Sequence, residues 1–172
     1  MPTRPLSRIA LALLAGLAAR PAAADPPTVP PPTPPVRAFG DWRLDCAGGA
    51  CALRSILRST QPGAPELIRA SLALDPSGGV MLTVRTPLGL YLPDPAILAP
   101  DETEPRSISW LTCTATGCTA RILLDPDLLD ALRRQRRASI AFTLADGSHV
   151  RLPLSLIGVS AGLAALKLSP AP

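Results

Sequence analysis

The sequence predicts a mainly β protein, a single antiparallel β-sandwich-like domain with one or two short helices. Three observations lead to this fold class. Apolar and polar residues alternate with a period of two over most of the chain, which is typical of strands with one buried and one solvated face. Turn signals rich in Gly and Asp separate the alternating segments. About 148 of the 172 residues remain after removal of the N-terminal segment described next, enough for one domain with a real core.

The first 24 residues have the layout of a secretory signal peptide. Arg4 and Arg8 give a charged start, the apolar run IALALLAGLAA follows, and Ala22-x-Ala24 has the form of a cleavage site. The apolar run is shorter than the roughly 20 residues that a membrane span needs. We therefore predict that residues 1–24 are removed on export and that the mature protein has no transmembrane span.

Cleavage would change the charge balance of the chain. The sequence has 17 basic and 13 acidic residues, and loss of Arg4, Arg8 and Arg20 with no acid leaves 14 against 13. A nearly neutral mature chain offers little electrostatic attraction for nucleic acid, so we expect no such partner. The partner that we expect is an envelope or host-surface protein, glycan or lipid.

Residues 25–38 form a proline-rich segment. PPTVPPPTPP at 26–35 has seven prolines in ten residues, a composition that favours extended polyproline II. We predict a linker that joins the cleavage site to a folded domain of residues 39–168, with residues 169–172 as a short tail. A proline-rich ligand for a partner is the alternative that composition leaves open.

Alternating segments locate the predicted strands. Apolar residues at every second position would face the core, and DPSGG at 75–79 and DGS at 146–148 supply turns between strands. Pro153 lies at an outward position of its segment, which predicts an edge strand or a bulge because proline cannot donate to a neighbour. The apolar faces are Ile68, Ala70, Leu72 and Leu74 in LIRASLAL, Val80, Leu82 and Val84 in VMLTVRT, Ile108 and Trp110 in SISWLTC, Ala120, Ile122 and Leu124 in CTARILL, Ile140, Phe142 and Leu144 in ASIAFTL, and Val150, Leu152, Leu154 and Leu156 in HVRLPLSL.

Two segments have helical spacing instead. DPDLLDALRRQRR begins with Asp125 as an N-cap and Pro126 at the first helical position, and its arginines gather where the helix dipole favours cations. A second, terminal helix is predicted to pack on the sheet. The apolar stripes are Leu128, Leu129 and Leu132 in the first helix and Leu156, Val159, Leu163 and Leu166 in the second.

All four cysteines lie in two similar stretches, CAGGAC and CTATGC. We favour disulfides Cys46–Cys51 and Cys113–Cys118, because exported proteins meet an oxidising compartment and each pair brackets a loop of hairpin size. Four cysteines allow three connectivities, and the sequence leaves the crossed ones open. A four-thiolate zinc site is the alternative, and a redox role is disfavoured because C-x-x-C is absent. We predict neither a metal nor a cofactor.

Five blocks of sequence follow one another from about Phe39 to Leu166. They are FGDWRLDC, CALRSILRS, VRTPLGLYLP, CTATGCTARILLDPDLLDAL and VRLPLSLIGVSAGLAAL. In this order and spacing they resemble the invasion associated locus B (IalB) family of exported bacterial proteins. The resemblance implies a small disulfide-bearing β domain, periplasmic or secreted, with outer-membrane association and contact with host cells as further expectations. It supplies no catalytic residue.

One stretch matches a catalytic pattern. GVSAG at 158–162 satisfies G-x-S-x-G with Ser160 at its centre, between a predicted strand and a predicted helix. The only histidine, His149, precedes this serine and lies at an outward position of its strand. We interpret the small residues as close helix–sheet packing. We thus expect a non-enzymatic exported binding protein of the envelope, with a Ser160 hydrolase or a structural envelope-stabilising protein as alternatives.

The densest basic cluster is RRQRR, with Arg133, Arg134, Arg136 and Arg137. Guanidinium groups bind phosphates through paired hydrogen bonds, so this cluster is a candidate anion-binding patch for lipopolysaccharide phosphates or anionic lipid. The alternative is a solvated helix end, since the helix dipole alone accounts for arginines at that place.

Overall fold

The structure, a computed structural model, describes residues 36–47 and 49–169. The predicted signal peptide, nearly all of the proline-rich linker and residues 170–172 lie outside the described residues. In the part that is described, no helix is both long enough and apolar enough to span a membrane.

The described chain folds into eleven strands and two helices. The helices are α1 (Pro126–Arg134) and α2 (Val159–Lys167). The strands are β1 (Arg37–Phe39), β2 (Trp42–Ala47), β3 (Ala50–Arg58), β4 (Glu66–Leu74), β5 (Val80–Thr86), β6 (Ala96–Pro100), β7 (Arg106–Ile108), β8 (Trp110–Thr114), β9 (Gly117–Leu123), β10 (Arg137–Thr143) and β11 (His149–Ser155).

Two antiparallel sheets divide these strands. The large sheet has the order β1-β2-β3-β4-β5-β9-β8, and the small sheet has the order β11-β10-β6-β7. Buried apolar residues of both sheets and both helices belong to one core cluster. This open, sandwich-like arrangement confirms the predicted fold class.

The inner face of the large sheet supplies much of that core. Leu44, Leu53, Leu72 and Leu82 lie directly opposite one another on β2, β3, β4 and β5, and each is almost fully buried. Such cross-strand rows are the units through which a sheet stabilises itself. Trp42 is buried beside this row, and its indole Nε1–H donates to the carbonyl of Ser155 at 2.9 Å, which ties the large sheet to the small one.

Both predicted helices are present, and α1 begins where the sequence predicts. The Asp125 carboxylate accepts a hydrogen bond from the amide of Leu128 at 2.8 Å, as an N-cap should, and Pro126 opens α1. The apolar stripe of α2 is buried, with Val159, Leu163 and Leu166 in the core. Pro153 is also where the sequence places it, because β11 is an edge strand of the small sheet.

The prediction of one strand across SISWLTC is wrong. The segment is divided at Ser109: Ile108 pairs with Ala96 in the small sheet, whereas Trp110 pairs with Ala120 in the large sheet. The chain passes from one layer to the other at this residue. Ile108 and Trp110 both pack in the core, but from different sheets. In the sequence, this arrangement shows the same apolar alternation as a single strand would.

The predicted helix DPDLLDALRRQRR is also too long. Helix α1 ends at Arg134, and the C-cap residue Gln135 has extended backbone dihedrals. The amide of Leu156 donates to the carbonyl of Arg136 at 2.9 Å, and Arg137 pairs with Ser155 as the first residue of β10. The backbone groups of Arg136 and Arg137 thus hydrogen-bond to the small sheet and are not available to continue the helix.

Candidate functional site

The four cysteines form two disulfides, Cys46–Cys51 and Cys113–Cys118. In each case the two residues lie directly opposite one another on a hairpin, β2–β3 or β8–β9, with a Cα–Cα distance of 4.0 Å. This is the local pairing that the spacing favours. Sulfurs bonded in this way are not thiolate ligands, so the two pairs act as clips across hairpins.

The glycines of GVSAG are explained by packing. Gly158 has a φ of +99°, and a Cβ at this position would lie 1.8 Å from the backbone oxygen of Phe39. A Cβ on Gly162 would lie 2.5 Å from a methyl group of Leu53, where α2 meets the inner face of the large sheet. Gly158 needs glycine because its neighbour is backbone, and Gly162 allows the close approach of Leu53; packing thus accounts for both glycines of the motif.

Ser160 and His149 are not brought together. Ser160 is exposed in the first turn of α2, which follows β11 along the chain. His149 is the first residue of β11, and its Nδ1 lies 3.2 Å from the Thr143 hydroxyl. The seven residues of β11 span about 20 Å at the usual strand rise, so the two side chains lie near opposite ends of that strand. This geometry does not support a serine–histidine pair.

The predicted arginine patch spans the end of α1, the connection that follows it and the start of β10. Arg133 and Arg134 end α1, Arg136 lies in the connection and Arg137 begins β10. Arg134 pairs with Asp130 at 2.6 Å, and Arg137 lies 3.7 Å from Asp101. Within the described chain Arg133 and Arg136 have no ion pair, and Arg133 instead borders a small depression together with Lys167.

A second basic surface lies on the outer face of the large sheet, and the sequence reading missed it. Five neighbouring strands, β2, β3, β4, β5 and β9, each place one arginine on this face. Arg43 lies directly opposite Arg54, Arg69 lies directly opposite Arg85, and Arg121 lies opposite Thr83. We refer to Arg43, Arg54, Arg69, Arg85 and Arg121 as the arginine track.

The orientation of the arginine track follows from the period of a strand. Each of its residues is followed or preceded by a core residue that points to the other face. Arg43 and Arg121 are exposed, and the other three are half-buried by their neighbours on the sheet. The core neighbours are Leu44, Leu53, Ala70, Val84 and Ala120.

Only part of the positive charge of the track is balanced. The Arg54 guanidinium pairs with Asp45, and the Arg69 guanidinium donates to both carboxylate oxygens of Glu66, at 3.0 and 2.7 Å. That hydrogen bonding raises the pKa of Arg69 above its usual value, so the group stays charged. Arg85 donates to the Thr116 hydroxyl at 2.8 Å.

Three guanidinium groups of the track therefore lack a carboxylate partner among the described residues: Arg43, Arg85 and Arg121. The sequence signal for the track is weak, because its members are far apart along the chain and never form a run. It could have been found by asking, for each predicted strand, which charged residue stands at an outward position.

A loop between β5 and β6 exposes apolar side chains elsewhere on the molecule. Leu88, Tyr91 and Leu92, in the VRTPLGLYLP block, are each about half exposed. The loop is fastened to the small sheet, since the amide of Tyr91 donates to the Thr143 carbonyl and the amide of Ala145 donates to the Gly89 carbonyl. Its shape is thus set by backbone hydrogen bonds.

Known proteins resemble this chain over most of its length. The family model described as "Invasion associated locus B (IalB) protein" matches residues 42–167. Two Brucella abortus proteins, both named as invasion protein B homologs, are 28% identical over 130 residues, covering 73% of this chain and 75% of theirs. The crystal structure of invasion associated protein B from Bartonella henselae has a TM-score of 0.68 at 24% identity, covering 76% of this chain and 94% of that one. This structural similarity confirms the fold.

Proposed function

Because the chain belongs to the invasion associated locus B family, we propose that it is an exported, non-enzymatic interaction protein of the bacterial cell envelope. The names of its relatives refer to invasion, so contact with host-cell surfaces is included in the proposal. The resemblance predicted from the five sequence blocks is confirmed by the family match.

The observation that carries the proposal is the distribution of the reactive and charged side chains. Ser160 and His149 lie near opposite ends of β11, whereas the outer face of the large sheet presents charged and hydroxyl groups to solvent. A broad exposed face suits recognition, and nucleophilic catalysis would need a base within hydrogen-bond reach of the serine. The hydrolase alternative has no such support.

Export is supported by the sequence and by the chemistry of the cysteines. Residues 1–24 have the features of a signal peptide, and disulfides such as Cys46–Cys51 and Cys113–Cys118 persist in oxidising compartments. Taken together these features favour the periplasm or the exterior of the cell.

Export can be tested by fractionation of cells that produce the full chain. The expected product lies in the periplasmic or extracellular fraction, begins at Asp25 and is four hydrogens lighter than the reduced mature chain. The control is the chain without residues 1–24, which should remain in the cytoplasm. A full-length chain found in the cytoplasm with free thiols would contradict export.

The non-enzymatic part is tested separately, with purified mature protein and a panel of short-chain ester substrates. Wild type and Ser160→Ala are expected to hydrolyse them equally slowly, at the rate of the buffer. Ser169→Ala is the matched control, because it removes a hydroxyl near the other end of α2. Hydrolysis by wild type that Ser160→Ala abolishes and Ser169→Ala retains would establish the hydrolase instead.

A further inference from the structure

We propose that the outer face of the large sheet binds a linear acidic polysaccharide along the arginine track. The inference rests on the proposed function, since it names the chemistry of the partner of an interaction protein. It concerns a surface different from the RRQRR cluster at the end of α1.

The track runs across the sheet on two neighbouring outward rows: Arg43, Arg54 and Arg121 lie on one row, and Arg69 and Arg85 lie on the next, two residues along their strands. It takes one arginine from each of five adjacent strands, and at the usual strand spacing it crosses the sheet over about 19 Å. A polymer that carries anionic groups along its length could meet these guanidinium groups one after another. The track thus fits an extended chain rather than a single small anion.

The arrangement is unfavourable without an anion. Arg43 faces Arg54 and Arg69 faces Arg85 across neighbouring strands, and like charges in such positions repel. Asp45 and Glu66 each balance one member of these pairs, which leaves the other member available. A bound polyanion would supply the missing counter-charge. Arg54, Arg69 and Arg85 are already held by Asp45, Glu66 and Thr116, so these three side chains lose less conformational entropy on binding than unheld arginines would.

The groups between the arginines suit a sugar chain. The hydroxyls of Ser71, Thr83 and Thr119 lie on the same face, opposite or beside track residues, and each can donate to or accept from sugar hydroxyls. Near the middle of the track is an open depression of about 300 Å³, where a sugar ring or its anionic substituent would fit. Its lining consists of Glu66, Arg69, Arg85, Thr86, Pro87 and Thr116.

The shape of the face favours a polysaccharide over a membrane or a nucleic acid. Adjacent strands are rotated by roughly 20–25°, so the direction of the face turns by roughly 80–100° over the four steps of the track. A planar bilayer cannot follow such a twist, whereas a flexible linear chain can. Single-stranded nucleic acids are held in part by stacking of their bases on aromatic rings, and no outward position of the described strands β2 to β5 and β9 is aromatic.

The main experiment measures binding of heparin oligosaccharides of defined length to the mature protein. The track variant carries Arg43→Gln, Arg85→Gln and Arg121→Gln, the three arginines without a carboxylate partner. The control variant carries Arg133→Gln, Arg134→Gln and Arg136→Gln, which removes the same charge from the other basic cluster. The track variant should lose about tenfold or more in affinity, with a shallower salt dependence, while the control stays within about twofold of wild type.

Two further measurements sharpen the test. Asp45→Asn frees Arg54 and should raise the affinity several-fold, whereas Asp130→Asn, which frees Arg134 on α1, should not. Affinity should increase with oligosaccharide length until the chain spans about 19 Å and then level off. Thermal unfolding of every variant is compared with that of wild type, and because the replaced side chains are solvent-accessible, the midpoints should agree.

Three results would overturn the inference. These are the absence of oligosaccharide binding by wild type, an equal loss of affinity in both triple variants, or binding to phosphatidylglycerol vesicles through the track without binding to the oligosaccharides. None of them bears on the proposed function, which fails through cytoplasmic location or Ser160-dependent hydrolysis.

Discussion

The two faces of the large sheet use the same strands for different purposes. On β2 and β3, Leu44 and Leu53 are buried in the core, while their chain neighbours Arg43 and Arg54 point to solvent. The inner face is apolar and closed by α2, and the outer face is charged, hydroxyl-bearing and open. Because side chains alternate along a strand, one residue separates a position that determines stability from one that can determine binding.

This comparison predicts two classes of substitution. Those on the inner face should unfold the protein, and those on the outer face should leave its stability unchanged. The following changes test that division, in order of decreasing effect on the free energy of unfolding.

The largest loss of stability is expected for Leu53→Ala. Leu53 is 0% exposed and lies beneath α2, so its truncation leaves a cavity that the packed helix cannot fill and should cost about 3–4 kcal/mol. The control is Ile56→Ala, on the outer face of the same strand, where the side chain is 39% exposed and the cost should be below about 1 kcal/mol. Denaturant unfolding measures both, and equal costs would remove the distinction between the faces.

A smaller loss is expected for Gly158→Ala, at the start of the helix that closes the inner face. Its new Cβ would overlap the backbone oxygen of Phe39, and the positive φ adds its own penalty, for a total of about 2–3 kcal/mol. Gly78→Ala is a matched control, because Gly78 also has a positive φ, of +84°, but nothing lies within 4 Å of its Cβ. If both variants lose the same stability by thermal unfolding, close approach to Phe39 is not the reason for this glycine.

The disulfides should contribute less, and unequally. Replacing either pair by alanine removes a small closed loop worth about 2 kcal/mol in the chain-entropy account. Cys113 is exposed but Cys118 is buried at 2% exposure, whereas Cys46 and Cys51 are both half-buried. Loss of the Cys113–Cys118 pair should cost more, because alanine at position 118 leaves a cavity in the core. Calorimetry of the two double variants checks the order, and a more damaging loss of the Cys46–Cys51 pair would contradict it.

The smallest effect on stability is expected for the outer face. Arg121→Gln removes an exposed charge that has no ion pair in the described chain, so the free energy of unfolding should change by less than about 0.5 kcal/mol. The neighbouring Ala120→Asp, which points to the core, should by contrast prevent normal folding. A large loss for Arg121→Gln would show that the outer face stabilises the fold.

Much of the fold could be predicted because the relevant signals are local. The alternation in LIRASLAL and VMLTVRT identified β4 and β5, and Asp125 with Pro126 identified the start of α1. Strand β6 was missed, because AILAP is short and lies between prolines, with no polar residue to show alternation. The division at Ser109 was missed because a change of sheet leaves the apolar period intact.

The arginine track is less visible in the sequence than the fold. The RRQRR cluster is visible in the sequence because its charges are adjacent, whereas the structure divides them between the end of α1 and the small sheet, to which the backbones of Arg136 and Arg137 pair. The arginines of the track are dispersed along the chain. Only the pairing of β5 with β9 places Arg121 on the same sheet face as the other four.

The sequence by itself determined the strand periods, the N-cap of α1 at Asp125, the grouping of the cysteines into two short stretches and the family. These depend on residues within a few positions of one another or on the order of blocks along the chain. The tertiary structure alone decided which strands are neighbours, where the chain changes sheets and which outward side chains share a face. Those features depend on pairings between distant segments, and a pattern that is local in sequence does not specify which distant strand will supply the partner hydrogen bonds.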